Sequence, residues 1–259
     1  MNFLHAILLG LIQGLTEFFP ISSSAHLKIT KLLLGIDSQR DFVLFDLSCH
    51  LGTLIAIIIY FKTEIVEMLC RNPRKVLPFF FATLPLIPAY FLLKPFRELA
   101  SQTQYLGYCL LGTSIILYLG NRLCLSREKK EGSIQKLPDV LLIGVMQSAA
   151  LIPGISRSAS TISCAKVLGW SSDSAVRFSF LLSIPTVIGG NVLELAKISS
   201  FSHLPKEEIS ICCVAFLTSL ICGVAVIKLA LNILSKGILK PFAVYCAVLG
   251  IFVLTFIGR

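Results

Sequence analysis

Six stretches of the chain are long and apolar: Val43 to Phe61, Val76 to Leu93, Tyr105 to Leu125, Ala175 to Leu195, Ile209 to Leu231 and Pro241 to Phe256. A helix needs about 20 predominantly apolar residues to cross a bilayer, so each stretch is expected to be a membrane span. Two regions break the pattern. Residues 1–42 hold apolar runs too short to span, Leu4 to Ile12 and Ile29 to Leu34, with a polar stretch between them; Asp139 to Leu168 has the same layout. Both are expected to be re-entrant helical hairpins, broken at Pro20 and at Pro153-Gly154, because irregular backbone is tolerated at membrane depth where it lines a cavity inside the protein.

The two broken regions also match in sequence. Gly10-Leu-Ile-Gln13 through Pro20-Ile21-Ser22-Ser23-Ser24-Ala25 is answered by Gly144-Val-Met-Gln147 through Gly154-Ile155-Ser156-Arg157-Ser158-Ala159. Gln13 and Gln147, Ile21 and Ile155, and Leu34-Gly35 and Leu168-Gly169 all lie 134 positions apart (147 − 13, 155 − 21, 168 − 34). A constant offset over such a distance marks an internal repeat. The halves, about 1–125 and about 135–259, each hold one hairpin and three spans. An odd number of spans inserts them in opposite senses, the inverted-repeat architecture that places substrate near the midplane at facing broken helices. The expected fold is therefore one all-α integral membrane domain over 1–259, with six spans and two re-entrant loops, the first loop entering from the outer face and the second from the cytoplasmic face.

Composition supports this and narrows the partners. Hydrophobic residues make up 55% of the 259, charged residues 14%, and mean hydropathy is +0.84. That is far above a soluble domain. A net charge of +9 would suggest nucleic acid in a soluble protein. Here the basic residues gather in short loops: Lys62, Arg71, Arg74 and Lys75; Lys94 and Arg97 in a short turn; Arg127, Lys129, Lys130 and Lys136 between Ser126 and Pro138. No nucleic-acid partner is expected, and the positive-inside rule puts both strongly basic loops in the cytoplasm, in agreement with the two spans between them. The nine cysteines lack metal-site spacing and read as small hydrophobes. Met1-Asn-Phe-Leu-His5 has no positively charged start, so the first apolar segment is expected to be retained.

The chemistry concentrates in the two polar stretches. Gln13 and Glu17 are spaced to share one helical face. Ser22, Ser23 and Ser24 follow Pro20 and can open the next half-helix, whose N-terminal amides favour an anion; His26 lies within a turn of them. In the second loop Ser156, Arg157 and Ser158 follow Pro153 and Gly154. Two helix N-termini with Arg157 between them would bind phosphate strongly, since guanidinium meets phosphate oxygens two at a time. A single serine in a membrane helix more often bonds back to its own backbone, the plain expectation for Ser158, Ser160 or Ser163 taken one at a time. His5, His50 and His203 lie outside both loops and are expected to be neutral or at the surface, although His50 sits in a span beside Asp46 and Ser48.

Gln13-Gly-Leu-Thr-Glu17-Phe-Phe-Pro-Ile-Ser-Ser-Ser-Ala-His26-Leu, Pro153-Gly-Ile-Ser156-Arg157-Ser158-Ala-Ser-Thr161 and, more weakly, Phe45-Asp-Leu-Ser-Cys-His-Leu-Gly52 resemble the bacterial undecaprenyl pyrophosphate phosphatases, also called the bacitracin-resistance family. The resemblance implies hydrolysis of undecaprenyl pyrophosphate to the monophosphate and inorganic phosphate in the bacterial cytoplasmic (inner) membrane, recycling the lipid carrier for cell-wall synthesis. It implies catalytic roles for Glu17, His26, Ser156 and Arg157. Gln13 occupies a position that holds Glu or Gln, and Ala25 and Ala159 stand where glycine is common in the family.

Arg157 and the loop amides are expected to neutralise the terminal phosphoryl group. The nucleophile is left open among Ser23 or a neighbouring serine with His26 as base or acid, His26 itself, and a water activated by Glu17. Substrate contacts are expected at Gln13, Ser22, Ser24, Gly154, Ser158 and Thr161. Glu17 is also a candidate ligand for a divalent cation, Mg2+ or Ca2+; with Gln13 in place of a second carboxylate, the site would hold one carboxylate bridged by substrate. Self-pairing as a homodimer is left open. The rival is a carrier for the same polyprenyl phosphate lipid, because inverted repeats with broken helices are typical of alternating-access transporters. A flippase needs an anion site but no nucleophile, and Arg157 together with nucleophile candidates favours hydrolysis. A structural subunit explains the hydropathy but not the paired loops.

Overall fold

A computed structural model describes residues 1–36, 42–124, 136–196 and 206–257. The chain is all-helical, with no strand among the described residues. In order the helices are α1 (Phe3–Thr16), α2 (Ser23–Leu33), α3 (Val43–Tyr60), α4 (Lys62–Val66), α5 (Leu77–Thr83), α6 (Leu86–Leu92), α7 (Lys94–Ala100), α8 (Thr103–Arg122), α9 (Leu137–Ser148), α10 (Arg157–Val167), α11 (Ser172–Leu195), α12 (Lys206–Leu234) and α13 (Lys240–Phe252). A 3-10 turn over Pro73–Val76 runs into α5, and a final π-helical turn covers Val253–Ile257.

Five helical stretches among the described residues are long and apolar enough to cross a membrane: Val43–Tyr60, Pro73–Leu92, Ser172–Leu195, Lys206–Leu234 and Lys240–Ile257. Their outward faces are apolar, with Phe91, Leu92, Ile221 and Phe256 largely exposed, as lipid-facing side chains are. These features describe a multi-pass membrane protein. The expected span over 105–125 is present as α8, 20 residues long, but it is not among the five. Two of its polar residues bond neighbouring segments: the Ser114 hydroxyl donates to the Ala243 carbonyl at 2.7 Å, and Asn121 Oδ1 accepts from the Leu239 amide at 3.4 Å. The expected turn around Lys94 and Arg97 is the helix α7, with the Arg97 guanidinium 3.8 Å from the centre of the Tyr90 ring. Of the basic segment expected between Ser126 and Pro138, residues 126–135, including Arg127, Lys129 and Lys130, lie outside the described residues, as does His203.

The short helices follow from their caps. The Ser22 and Ser156 hydroxyls accept from the amides three residues on, Ala25 at 3.4 Å and Ala159 at 3.2 Å, which satisfies helix-start donors in α2 and α10. Both helices are 11 residues long and both end at a glycine in the left-handed region, Gly35 (φ 65°) and Gly169 (φ 83°). The residue after each glycine bonds back five positions, Ile36 to the Lys31 carbonyl and Trp170 to the Ala165 carbonyl, so glycine is needed to turn the chain there.

Contacts cross between the halves. α12 lies along α1 and α3, and α5 lies along α9 and α11. Small residues let the backbones approach: a Cβ on Gly10 would sit 2.9 Å from the Ala215 carbonyl, and one on Gly144 would sit 2.4 Å from that of Ala82. The largest cluster of buried side chains among the described residues includes Phe18, Phe61, Ile162 of α10, Phe180 and Ile227.

Candidate active site

The loops between α1 and α2 and between α9 and α10 meet at a cavity of about 210 Å³. Its polar walls are Glu17, Ser22, Ser23 and Ser24 from the first loop, Ser156, Arg157 and Ser158 from the second, and His50 from α3. Two bonds tie the loops together. Arg157 Nη2 donates to Glu17 Oε1 at 3.1 Å, and the Ser158 hydroxyl donates to the Phe19 carbonyl at 3.2 Å.

Glu17 is the hub. Its Oε2 accepts from the Ser23 hydroxyl at 2.6 Å and from Gln13 Nε2 at 3.0 Å, and His50 Nδ1 stands 3.5 Å away. The Gln13 contact confirms the shared helical face. Side-chain exposure is only 8% for Glu17 and 15% for Arg157, so removing either partner of the pair strands a charge, at a cost of roughly 3–5 kcal/mol. Arg157 Nη1 is buried and has no partner among the described residues. A guanidinium N–H in that state is costly unless a ligand or a water accepts from it.

The N-caps differ in strain. Ser156 is extended at φ −76°, ψ 123°, whereas Ser22 sits at φ 67°, ψ 92°, a conformation that costs a non-glycine residue on the order of 1–3 kcal/mol. Gly154, at φ 98°, needs glycine, because a Cβ there would lie 2.7 Å from Cys109 Cβ. Thr113 on α8 clamps this loop, donating to the Gly154 carbonyl at 3.2 Å and accepting from the Ser156 amide at 3.1 Å.

Of the expected site residues, Glu17, Ser22, Ser23, Ser24, Ser156, Arg157 and Ser158 line the cavity. Gln13 stands behind Glu17, fully buried, and Gly154 shapes the loop without lining the cavity. Thr161 does not reach the cavity: it bonds the Arg157 carbonyl at 3.0 Å and the Ser179 hydroxyl at 2.7 Å, because one turn along α10 its side chain faces α11. His26 is not in the lining either. Its Nδ1 is 2.7 Å from the Ser22 carbonyl and its Nε2 is 2.7 Å from the Tyr245 hydroxyl on α13. Ser160 bonds back to its own helix, as a lone membrane serine is expected to, whereas Ser158 reaches across to the first loop and Ser163 Oγ has no partner among the described residues.

His50 corrects the expectation of a neutral or surface role. Its Nδ1 is 2.9 Å from Gln13 Nε2, and it lines the cavity. The available signal was its place in an apolar span within the stretch Phe45 to Gly52. For a divalent cation the protein offers one carboxylate. Glu17 is the one carboxylate in the lining, both its oxygens already accept hydrogen bonds, and no three His, Cys, Asp or Glu side chains come together among the described residues. A cation held by Glu17 would therefore take its remaining ligands from the substrate's phosphate oxygens.

Fold and site together define a class: a multi-pass helical membrane protein with a polar cavity, lined by Glu17, Arg157 and serines, where the α1–α2 and α9–α10 loops meet. The family model of bacitracin resistance protein BacA matches residues 6–252. The chain is 40% identical over 253 residues to an undecaprenyl-diphosphatase of Protochlamydia amoebophila, covering 97% of each. It is 36% identical over 262 residues to that of Halothermothrix orenii, covering 100% and 99%, and 37% identical over 270 residues to that of Campylobacter curvus, covering 98% of each. The chain belongs to the BacA family of bacitracin resistance proteins.

Proposed function

We propose that this protein is a membrane phosphatase that hydrolyses undecaprenyl pyrophosphate to undecaprenyl phosphate and inorganic phosphate, recycling the lipid carrier for cell-wall synthesis in the bacterial cytoplasmic membrane. The observation that carries the reaction is the alignment of Ser23, Glu17 and Arg157 on one cavity. The terminal phosphoryl group takes the unpartnered Nη1 of Arg157 and the amides opening α2 and α10. As the phosphate draws Arg157 toward it, Glu17 is freed to take a proton from Ser23, whose oxygen attacks the terminal phosphorus. The bond from that phosphorus to the bridging oxygen breaks, and the lipid monophosphate leaves with the proton that Glu17 held. Water then attacks the phosphoserine as Glu17 takes one of its protons; the bond from phosphorus to the Ser23 oxygen breaks, Glu17 returns that proton to the Ser23 oxygen, and inorganic phosphate is released. The charge developing on the equatorial oxygens is met by Arg157 and by fixed backbone dipoles.

The same reading takes the chain as one membrane domain of two inverted halves, about 1–125 and 135–259, with the first loop entering from the outer face. Supporting it, α2 and α10 coincide in length, start and end under a shift of 134 positions, and the exchanged packing of α12 and α5 relates the halves reciprocally.

The test is phosphate release from undecaprenyl pyrophosphate by purified protein. Wild type turns over, and Arg157→Ala, checked for folding by unchanged helical signal and elution, loses about 10³-fold or more, the scale of a lost charge-stabilising arginine. Folded wild type that binds the lipid but releases no phosphate would make the protein a carrier instead.

A further inference from the structure

We propose that His26 and Tyr245 are positioning residues: His26 holds the Ser22 carbonyl so that the Ser22 backbone aims Ser23 at Glu17, and Tyr245 braces the imidazole. The proposal deepens the phosphatase reading and rests on it, and it replaces the role of base or nucleophile expected of His26.

Both ring nitrogens are already committed. The Ser22 carbonyl, 2.7 Å from Nδ1, can only accept, so Nδ1 carries the proton; the neutral ring then accepts at Nε2 from the Tyr245 hydroxyl, also at 2.7 Å. The two rings lie nearly parallel, 9° apart, with centroids 5.6 Å apart.

The repeat supplies an independent reading of the same position. The residue 134 places on from His26 is Ser160, and its hydroxyl donates to the Ser156 carbonyl at 3.0 Å. In both loops the N-cap carbonyl therefore accepts twice from the residue four positions on, once from its side chain and once from its amide, at 3.2 Å for His26 and 3.1 Å for Ser160. Imidazole and hydroxyl share this bond and no acid–base chemistry. What the two positions have in common is a hold on the N-cap.

The loops differ in how much hold they need. Ser156 is in relaxed extended backbone; Ser22 is in the left-handed region. The strained cap is the one given the larger side chain and an outside brace. α13 supplies that brace twice, through Tyr245 and through Cys246, whose sulfur is 4.0 Å from the Pro20 carbonyl. Ser23 follows Ser22 directly, so a relaxed Ser22 would swing the Ser23 oxygen off its 2.6 Å contact with Glu17.

The experiment compares wild type, His26→Ala, His26→Ser and Tyr245→Phe by steady-state turnover of undecaprenyl pyrophosphate and by crystal structures of the same proteins. His26→Ala lowers kcat about 100-fold with KM within about twofold, the scale of a misplaced reacting group. His26→Ser, which installs the residue the other loop uses, recovers kcat to within about fivefold of wild type. Tyr245→Phe lowers kcat about fivefold alone and adds nothing in the His26→Ser background. His26→Ser as inactive as His26→Ala would overturn the proposal, because the imidazole itself would then be required. The crystal structures do not depend on turnover: Ser22 keeps its positive φ in His26→Ser and relaxes in His26→Ala, and a Ser22 unchanged in His26→Ala would overturn the proposal. Absent phosphate release from folded wild type would count against the phosphatase reading, with the Ser22 backbone still deciding the positioning role.

Discussion

At the first position of its short helix one loop carries Ser23 and the other, 134 residues on, carries Arg157; where the first has Glu17 the second has Leu151. The frames are alike: equal helix lengths, a serine cap bonded to the third amide, a second serine 3.2 Å from the first, and a closing glycine. The chemistry placed in them is divided. On the proposed mechanism, one frame holds the nucleophile Ser23 and the carboxylate of Glu17 beside it, and the other holds Arg157, the cation that answers the substrate's charge. On that mechanism a repeated frame supplies placement, while the reactivity comes from the few positions at which the two frames disagree.

The largest effect should come from erasing the sharpest disagreement. Glu17→Gln keeps the shape and most hydrogen bonds but removes the proton acceptor and leaves Arg157 unpaired; phosphate release should fall about 10³-fold in protein that still elutes as folded. Turnover above a tenth of wild type would move the base elsewhere. A middle-sized effect should separate the two buried glutamines. Gln13 is contacted by His50, and Gln147 by Thr186, whose hydroxyl donates to it at 3.3 Å. Because Gln13 alone touches Glu17, His50→Ala should cost about tenfold in kcat and Thr186→Ala less than about twofold; equal losses would make both contacts structural. The smallest effect should report strain. Ser156→Gly should lower unfolding stability in detergent by up to about 1 kcal/mol, while Ser22→Gly, which loses its cap but relaxes a left-handed residue, should be neutral or stabilising. A larger loss at Ser22 would mean that its hydroxyl, and not its backbone, matters there.

The spans were legible because bilayer thickness fixes helix length, and their ends fall within a few residues of expectation. The loops were legible because a carboxylate, an arginine and six serines are costly among apolar residues, and Glu17, Arg157 and all six of Ser22, Ser23, Ser24, Ser156, Ser158 and Ser160 have bonded partners or line the cavity. Facing partners were not legible. Helical spacing places Gln13 and Glu17 together on α1 but cannot show that His50, 37 residues away on α3, closes behind them. It places His26 a turn from the serines but cannot show that Tyr245, 219 residues away, draws the ring outward. α8 was readable as a span by length, but its polar interior, which clamps the second loop through Thr113, takes it below the apolarity of its neighbours.

On the proposed re-entrant arrangement, the 11-residue length of α2 and α10 would set a depth. Eleven residues rise about 16 Å, close to half of a hydrocarbon core about 30 Å thick. A headgroup cleaved at that level leaves two products with opposite solubilities. Inorganic phosphate belongs to water and must climb out along the polar loops, whereas the lipid monophosphate belongs to the bilayer and departs sideways between helices. Once they part into different phases they rarely rebind together, while the direction of the hydrolysis is set by the free energy of the anhydride bond and the excess of water.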